Sequence, residues 1–525
     1  MVKPGPNQNF IGGEDDDYLY LAFLYEDGVI VSVLFLLMFI MSLIVWTIIM
    51  TFRGQFTPAV ISAACWSNRR FSWYYSCKLF YKVQMSQRLV LSGTRTKRSI
   101  RAGVLLLEAL SLTSYGNARG EDLKAVEARP TGEFLDSLGV VTHMGYNDGR
   151  YASAAEAVED LDYLGIHQLR DGLPRSNGGG PDHNLGDSLK ILLNAGNRFD
   201  FLIIPGNQTL SDFQNQLDAI VRTHPDAVIA IEGPNEINNA PVLYKHLTGE
   251  AAGRAFQRDL FDMVVADPLA HNVPVYYFTG GQPIDLTANP GLAHYANAHP
   301  YPYRGQAPGP RIREEFKHNF NIPLSFPRVI TETGYFNRPE NPGGSGVDDL
   351  TQSKLTLDLL FDAFQQGVAK TFLYQLRAAY PDKRGDNSDT EYGLFKLDNS
   401  PKPVAIAIHN LTAILSRHQK KTLQPVNNKI TFSVAGLPLE GHQLLLENPD
   451  GSFALVLWAE PRIWDEARHA AVDAPKVMVK LSLSAPAKTL ELFDPLVSAV
   501  SIQTSASVRF ATISLTDHPV IVQIR

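Results

Sequence analysis

Apolar and polar positions follow three different rhythms along this chain. From Gly28 to Phe52 (GVIVSVLFLLMFIMSLIVWTIIMTF) 25 residues pass without a charge and without a polar face. At about 1.5 Å per residue such a helix exceeds the ~30 Å core of a bilayer, so the pattern predicts a transmembrane span. A second apolar run, Ala102 to Tyr115, is shorter and carries Glu108. It follows Arg95, Lys97, Arg98 and Arg101 and ends in Gly116-Asn117-Ala118, the order of basic, apolar and small residues found in an export signal. A buried amphipathic helix is the alternative reading of that run.

Beyond Arg119 short apolar runs alternate with helical patterns, the rhythm of βα units. Strands are predicted at Val140–Tyr146, His167–Asp171, Asp200–Pro205, Val228–Glu232, Val273–Phe278, Ala293–His299, Arg328–Glu332 and Thr371–Gln375. Helices are predicted at Ala152–Leu164, Ser188–Ala195, Leu210–Arg222, Ala251–Ala266, Leu350–Gln366 and Pro403–Leu415. In Ala152–Leu164 the apolar positions Ala155, Val158, Leu161 and Leu164 recur every three residues. Eight strands in this alternation fit a closed barrel better than an open sheet. From about Pro425 the period becomes two, as in Val477, Val479, Leu481 and Leu483, with turn signals at Gly436, Pro449-Asp450-Gly451 and Pro519. The expected fold class is therefore α/β: a (β/α)8 TIM barrel with a C-terminal all-β sandwich and an N-terminal transmembrane segment.

Charge divides the chain further. Residues 1–27 carry six acids and one Lys, and residues 53–101 carry ten Lys/Arg and no acid; the total of −7 then leaves −12 for residues 102–525. The expected organisation is an acidic tail (1–27), a transmembrane helix (28–52), a basic linker (53–101), a signal-like segment (102–118), the barrel (119–424) and the sandwich (425–525). The positive-inside rule puts the basic linker in the cytoplasm. With the second apolar run acting in export, the barrel is expected outside, periplasmic or extracellular, in a membrane-associated protein. Without export the barrel stays in the cytoplasm, and Met85 is an alternative start that would omit the first span. Two cysteines, Cys65 and Cys77, exclude a disulfide scaffold. The acidic balance argues against nucleic acid as partner. No GxGxxG or Walker pattern follows a strand and no HExxH occurs, so neither cofactor nor metal is expected. Asp382, Asp386, Asp389 and Glu391 crowd one segment without EF-hand spacing. Oligomeric state is not legible.

Barrel chemistry sits where strands end at the C-terminal face. The fourth predicted strand ends Glu232-Gly233-Pro234-Asn235-Glu236, and the seventh ends at Glu332 before Thr333-Gly334-Tyr335. The sixth ends His299-Pro300-Tyr301 and the second Leu169-Arg170-Asp171. His143 and Tyr146 close the first and are further candidates for substrate contact. Two carboxylates facing each other across a barrel mouth are what glycoside cleavage needs, one to protonate the leaving oxygen and one to attack the anomeric carbon. Glu232, four residues before Glu236, reads as a hydrogen-bonded support within the barrel.

The residues Asn235-Glu236 and Glu332, 96 positions apart, resemble the acid/base and nucleophile of the clan A retaining glycoside hydrolases, and the stretches EGPNE and ITETGY are similar to family 39. The resemblance covers about residues 135–417. It implies that Glu236 is the general acid/base and Glu332 the nucleophile, that Arg170 holds the nucleophile, that Asn235 contacts the sugar 2-OH, and that His299 and Tyr301 line the glycone site. Tyr374-Gln375 stands at the end of the eighth strand where many clan members have Trp, and both residues are candidates for substrate binding. The function expected is retaining hydrolysis of a polysaccharide or oligosaccharide in envelope or exopolysaccharide metabolism. The alternative is a catalytically silent carbohydrate-binding barrel in envelope assembly.

Overall fold

Two short strands, β1 (Lys124–Val126) and β2 (Arg129–Pro130), are followed by helix α1 (Thr131–Ser137). The structure, a computed structural model, describes residues 123–173, 185–206, 209–338, 346–382, 387–418 and 430–525. The expected acidic tail, transmembrane helix, basic linker and signal-like segment lie outside the described residues. Among the described residues no helix is long and apolar enough to cross a membrane.

The chain then alternates strands and helices. It runs β3 (Leu138–Val141), α2 (Ala154–Leu164), β4 (Gln168–Gly172), α3 (Leu185–Asn194), β5 (Arg198–Leu202), α4 (Leu210–Thr223) and β6 (Val228–Glu232). A small hairpin, β7 (Leu243–Tyr244) and β8 (Leu247–Thr248), precedes α5 (Gly249–Ala266) and β9 (Val275–Tyr276). Then come β10 (Ala296–Ala298), α6 (Pro308–Asn319), β11 (Arg328–Thr333), α7 (Asp349–Gln365), β12 (Val368–Leu373) and α8 (Pro403–Ser416). Eight of these strands pair in parallel in the order β10-β11-β12-β3-β4-β5-β6-β9, and a bridge between Tyr276 and Tyr295 brings the two ends together into a nearly closed barrel. Each of the eight predicted strands overlaps one of them.

Local signals explain the helices. The α4 helix starts in a capping box, with Thr209 Oγ1 accepting from Asp212 N and the Asp212 side chain accepting from Thr209 N. Its buried residues, Phe213, Leu217 and Ile220, form one stripe. The short α1 was not predicted, and neither was α6. The α6 sequence opens Pro308-Gly309-Pro310, which reads as a breaker, but both prolines fall in the first turn, where a missing N–H costs nothing. Gly139 of β3 has a packing reason, since a Cβ there would sit 2.4 Å from Cδ1 of Phe372 on β12.

The remaining strands are β13 (Ile430–Ala435), β14 (Gly441–Glu447), β15 (Phe453–Ala459), a small hairpin of β16 (Trp464–Asp465) and β17 (Ala470–Ala471), the long β18 (Val477–Asp494) and β19 (Ser498–Leu515), and β20 (Val520–Ile524). They build a sheet ordered β1-β13-β18-β20-β15-β14-β2, with β19 paired to β18. Its end strands thus come from ahead of the barrel, so the boundary drawn at 425 does not hold all of this layer. One side of the sheet has its own core, with Phe432, Leu455, Leu481, Leu492 and Val522. The other side shares the barrel's core: Leu446, Ala454, Trp458, Phe493 and Ile521 cluster with Phe361 of α7 and Leu411 of α8. That second contact explains why α7 has no polar outer face; it is covered on both sides.

Candidate active site

Strand alternation sends one residue in two into the barrel. Arg170 on β4, Asp200 on β5, Glu232 on β6, Asn297 on β10 and Thr331 on β11 are all buried. Register sets Arg170 beside Asp200 and Leu202 beside Glu232. The result is a polar layer beneath the strand ends. Arg170 Nε and Nη2 donate to the two oxygens of Glu232, at 2.6 and 2.9 Å. Glu232 Oε1 also accepts from Asn297 Nδ2 at 3.0 Å. Burial and then the charge of Glu232 push the Asp200 carboxyl well above its usual range. With Glu232 fully buried and so bonded, it supports Arg170, as its position four residues before Glu236 suggested.

The same guanidinium reaches upward. Its Nη1 donates to Glu332 Oε1 at 2.5 Å and its Nη2 to Asn235 Oδ1 at 2.7 Å. Strict alternation from Thr331, whose hydroxyl lies in the interior layer, would turn Glu332 outward. A register shift between Ile330 and Thr333 against β12 breaks that alternation and lets the Glu332 carboxylate face the mouth. Tyr301 Oη donates to Glu332 Oε2 at 2.8 Å. Burial would raise the Glu332 pKa, but His299 and Arg170, with the Tyr301 bond, outweigh it and hold it below the ordinary glutamate value. Asn235 has its oxygen committed to Arg170, so its amide nitrogen remains to donate.

Glu236 follows β6 with φ of +40°, a conformation that non-glycine residues rarely adopt and that collects at functional sites. Its N–H donates to Thr279 Oγ1 at 2.9 Å, and its Oε2 accepts from Asn239 Nδ2 at 2.9 Å. His299 Nδ1 lies 3.0 Å from Glu236 Oε1 and 3.7 Å from Glu332 Oε2. One oxygen of each glutamate and a nitrogen of His299 fall within 4.8 Å of one another. The His299 contact holds the Glu236 pKa down to about 2, against the effect of burial.

The hydrogen-bond chain behind His299 explains where the proton is. Thr331 Oγ1 donates toward Asn297 Oδ1 or Glu232 Oε1, at 2.9 and 3.1 Å. Having one proton, it can then only accept from His299 Nε2, 3.0 Å away. His299 Nδ1 is therefore free to take or give a proton at Glu236. Glu236 Oε1 and His299 Nδ1, 3.0 Å apart, are placed to hold one proton between them. The two glutamates and His299 could also ligate a cation, but Arg170 and Tyr301 already hold both oxygens of Glu332.

Tyr374 packs edge-on against His143, Tyr301 and Tyr392, with centroids 5.6, 6.3 and 5.5 Å away. The Tyr374-Gln375 peptide is cis. Gln375 is buried, and its amide donates to the Asp389 carbonyl at 2.9 Å, so it ties down the following loop. Asp171, by contrast, accepts from Thr142 and from the Met144 and Gly172 amides, which is a structural role. Asn239, Thr279, Thr331, Asp389 and Tyr392 were not singled out for the site. Asp389 lies close enough that, after burial, Glu332 and Glu236 raise its pKa. Its signal in the sequence was the crowd of acids after the eighth barrel strand, which has no EF-hand spacing.

No sequence-family profile matches the chain, and no curated protein matches it either. Solved structures do. A family 39 glycoside hydrolase from Bacteroides cellulosilyticus WH2 is 14% identical, with TM-score 0.51 over 76% of this chain and 81% of that one. A monomeric β-xylosidase from Caulobacter crescentus CB15 is 13% identical, with TM-score 0.48 over 77% and 98%. A family 39 enzyme from Xanthomonas axonopodis pv. citri is 14% identical, with TM-score 0.47 over 78% and 99%. The chain shares the fold of the family 39 glycoside hydrolases in clan A. At this identity the likeness is one of fold.

Proposed function

We propose that the protein is a retaining glycosidase in which Glu332 attacks the anomeric carbon and Glu236 serves as acid, then base. The observation that carries this reading is the close approach of the two carboxylates, with oxygens within 4.8 Å. Retaining enzymes hold their carboxyl groups about 5–5.5 Å apart, whereas inverting enzymes leave about 6.5–9.5 Å for a water.

The surroundings suit each step. Arg170 and Tyr301 keep Glu332 ionised and aimed, and the bond that forms at its oxygen replaces part of the charge they stabilise. The proton for the leaving oxygen comes from the Glu236–His299 pair. A sugar ring against Glu236 excludes water, disfavours the carboxylate and moves the shared proton onto it. After the leaving group departs, Glu236 is ionised and accepts a proton from the water that releases the sugar from Glu332. The Asn235 amide supplies the donor for a 2-OH, a contact that strengthens in the transition state. His143 Nε2 is buried without a hydrogen-bond partner, and burial drops its pKa to about 4, so a neutral imidazole is available to a sugar hydroxyl. Outside it Tyr146 stacks on His143 at 5.2 Å, with Tyr380 5.8 Å beyond, and both tyrosines are exposed. These rings form an apolar face for further sugar units, in the place of the missing Trp.

The substrate class that fits is a polysaccharide or oligosaccharide of the cell envelope or exopolysaccharide, met outside the cytoplasm by an exported, membrane-anchored barrel. The test is turnover of activated aryl glycosides by the purified full chain. Glu332→Ala should abolish it, and in Glu236→Ala azide should attack the glycosyl-enzyme from the vacated face and displace the Glu332 carboxylate, giving a glycosyl azide with the substrate's anomeric configuration. Oligosaccharide binding without turnover by the wild type would instead make the barrel a silent binding module.

A further inference from the structure

A second cluster of chemistry-bearing side chains lies away from the barrel mouth, where the barrel meets the β layer. Asp362 belongs to the last turn of α7, His442 to β14, and Glu460 follows β15 directly. One ligand atom from each falls within 4.8 Å of the others. In a (β/α)8 barrel the last turn of a helix lies at the end opposite the strand C-termini, so this cluster is separate from the Glu236–Glu332 pair.

Its construction is that of a ligand set. Asp362 is 2% exposed; its Oδ2 receives no hydrogen bond from an N–H or hydroxyl group and faces the Glu460 carboxyl, with which it makes a hydrogen bond when one of the two is protonated. Its other oxygen accepts from Trp458 Nε1 at 3.1 Å, which fixes the carboxylate plane. His442 stacks on the same indole, with centroids 5.0 Å apart and an interplanar angle of 17°, so Trp458 orients two of the three groups. Such outer contacts are what hold metal ligands in place. His442 Nε2 and Glu460 Oε2 are 3.0 Å apart. Room for an ion is kept by Gly309 of α6: a Cβ there would stand 2.9 Å from Asp362 Oδ2 and 3.4 Å from Glu460 Oε2. The His442 side chain is 27% exposed, which leaves an entry path.

Two carboxylates that face each other in a buried place need a positive charge between them, and either a proton or a cation can supply it. The third group, His442, adds a nitrogen donor to the two carboxylates. An imidazole nitrogen with two carboxylate oxygens suits Zn²⁺ or Mn²⁺ better than the all-oxygen sets of Ca²⁺ and Mg²⁺. We propose that Asp362, His442 and Glu460 form a structural divalent transition-metal site that clamps the barrel to the β layer.

The test uses the full chain, stripped with a chelator and titrated with Zn²⁺ alone, followed by calorimetry and thermal melting. We expect one Zn²⁺ to bind at this site and Tm to rise with the logarithm of free Zn²⁺, as binding to the folded state alone requires. Asp362→Asn and His442→Gln should each remove that bound equivalent and the rise in Tm. His299→Ala should leave both intact, which separates this site from the three groups at the barrel mouth. Should Asp362→Asn fail to fold, the partly exposed His442 still reports: Zn²⁺ should protect it from diethylpyrocarbonate in the wild type. Zinc uptake equal in wild type and His442→Gln would overturn the proposal. So would a Tm that ignores Zn²⁺ but responds to pH only while Asp362 is present, since a proton would then occupy the place.

Discussion

Arg170 bridges Glu232 below to Glu332 above with one planar guanidinium, and a side chain with a single charged nitrogen cannot span that distance. Arg170→Lys should therefore keep the charge and lose the alignment, lowering kcat by about 10²–10³-fold, the range seen when one preorganised donor is removed. Tyr301→Phe isolates the electrostatic part. The Tyr301 bond favours ionised Glu332, and the attack proposed for Glu332 needs it ionised. Removing the bond raises its pKa, so the acid limb of the kcat/KM profile should move to higher pH while the plateau changes less. An unmoved acid limb would mean that Glu332 does not titrate in that limb. Much of this site was legible, because Arg170, Asn235, Glu236, His299 and Glu332 all stand at predicted strand ends. Thr331 and Asn239 were not, since a threonine inside a strand or an asparagine in a loop acquires its role only when the fold sets it against His299 or Glu236.

At the level of elements, apolar runs marked all eight barrel strands, but α6 hid behind Pro308 and Pro310, and β1 and β2 are too short to show any period. Their place was set by partners some three hundred residues away, Ile430–Phe432 and Leu446–Glu447, which no local pattern encodes. Two contacts give predictions here. Ala at Gly139 would press on the Phe372 ring, so Gly139→Ala should cost about 1–3 kcal/mol in chemical denaturation. His518, between β19 and β20, lies between Asp494 and Asp517, and Asp517 accepts from Lys354 of α7 at 2.7 Å. Burial opposes the His518 charge, but the two carboxylates outweigh it and raise its pKa. A raised pKa stabilises the fold below the unfolded value of about 6.5, and that contribution is lost as pH rises through the folded value. Melting temperature should fall over that interval in the wild type, and His518→Gln should flatten the fall.

Over the whole molecule, the barrel and the β layer share one core, so neither is expected to fold alone. We propose that residues 28–52 and 102–115 set the location of that body. A reporter active only in the periplasm, fused after Glu121, should be active, and deleting residues 102–115 should silence it. An inactive reporter on the intact chain would put the barrel in the cytoplasm. The order of the β layer bears on the same journey. Its strand β20, buried throughout, lies between β15 and β18, yet it is the last of them in the chain. As the ribosome releases the polypeptide, β1 and β2 emerge before the barrel and remain without partners until β13 and β14 are made. The layer lacks its middle until residue 520 appears. The core that the barrel and the β layer share, to which Ile521 belongs, is therefore completed only when β20 is made.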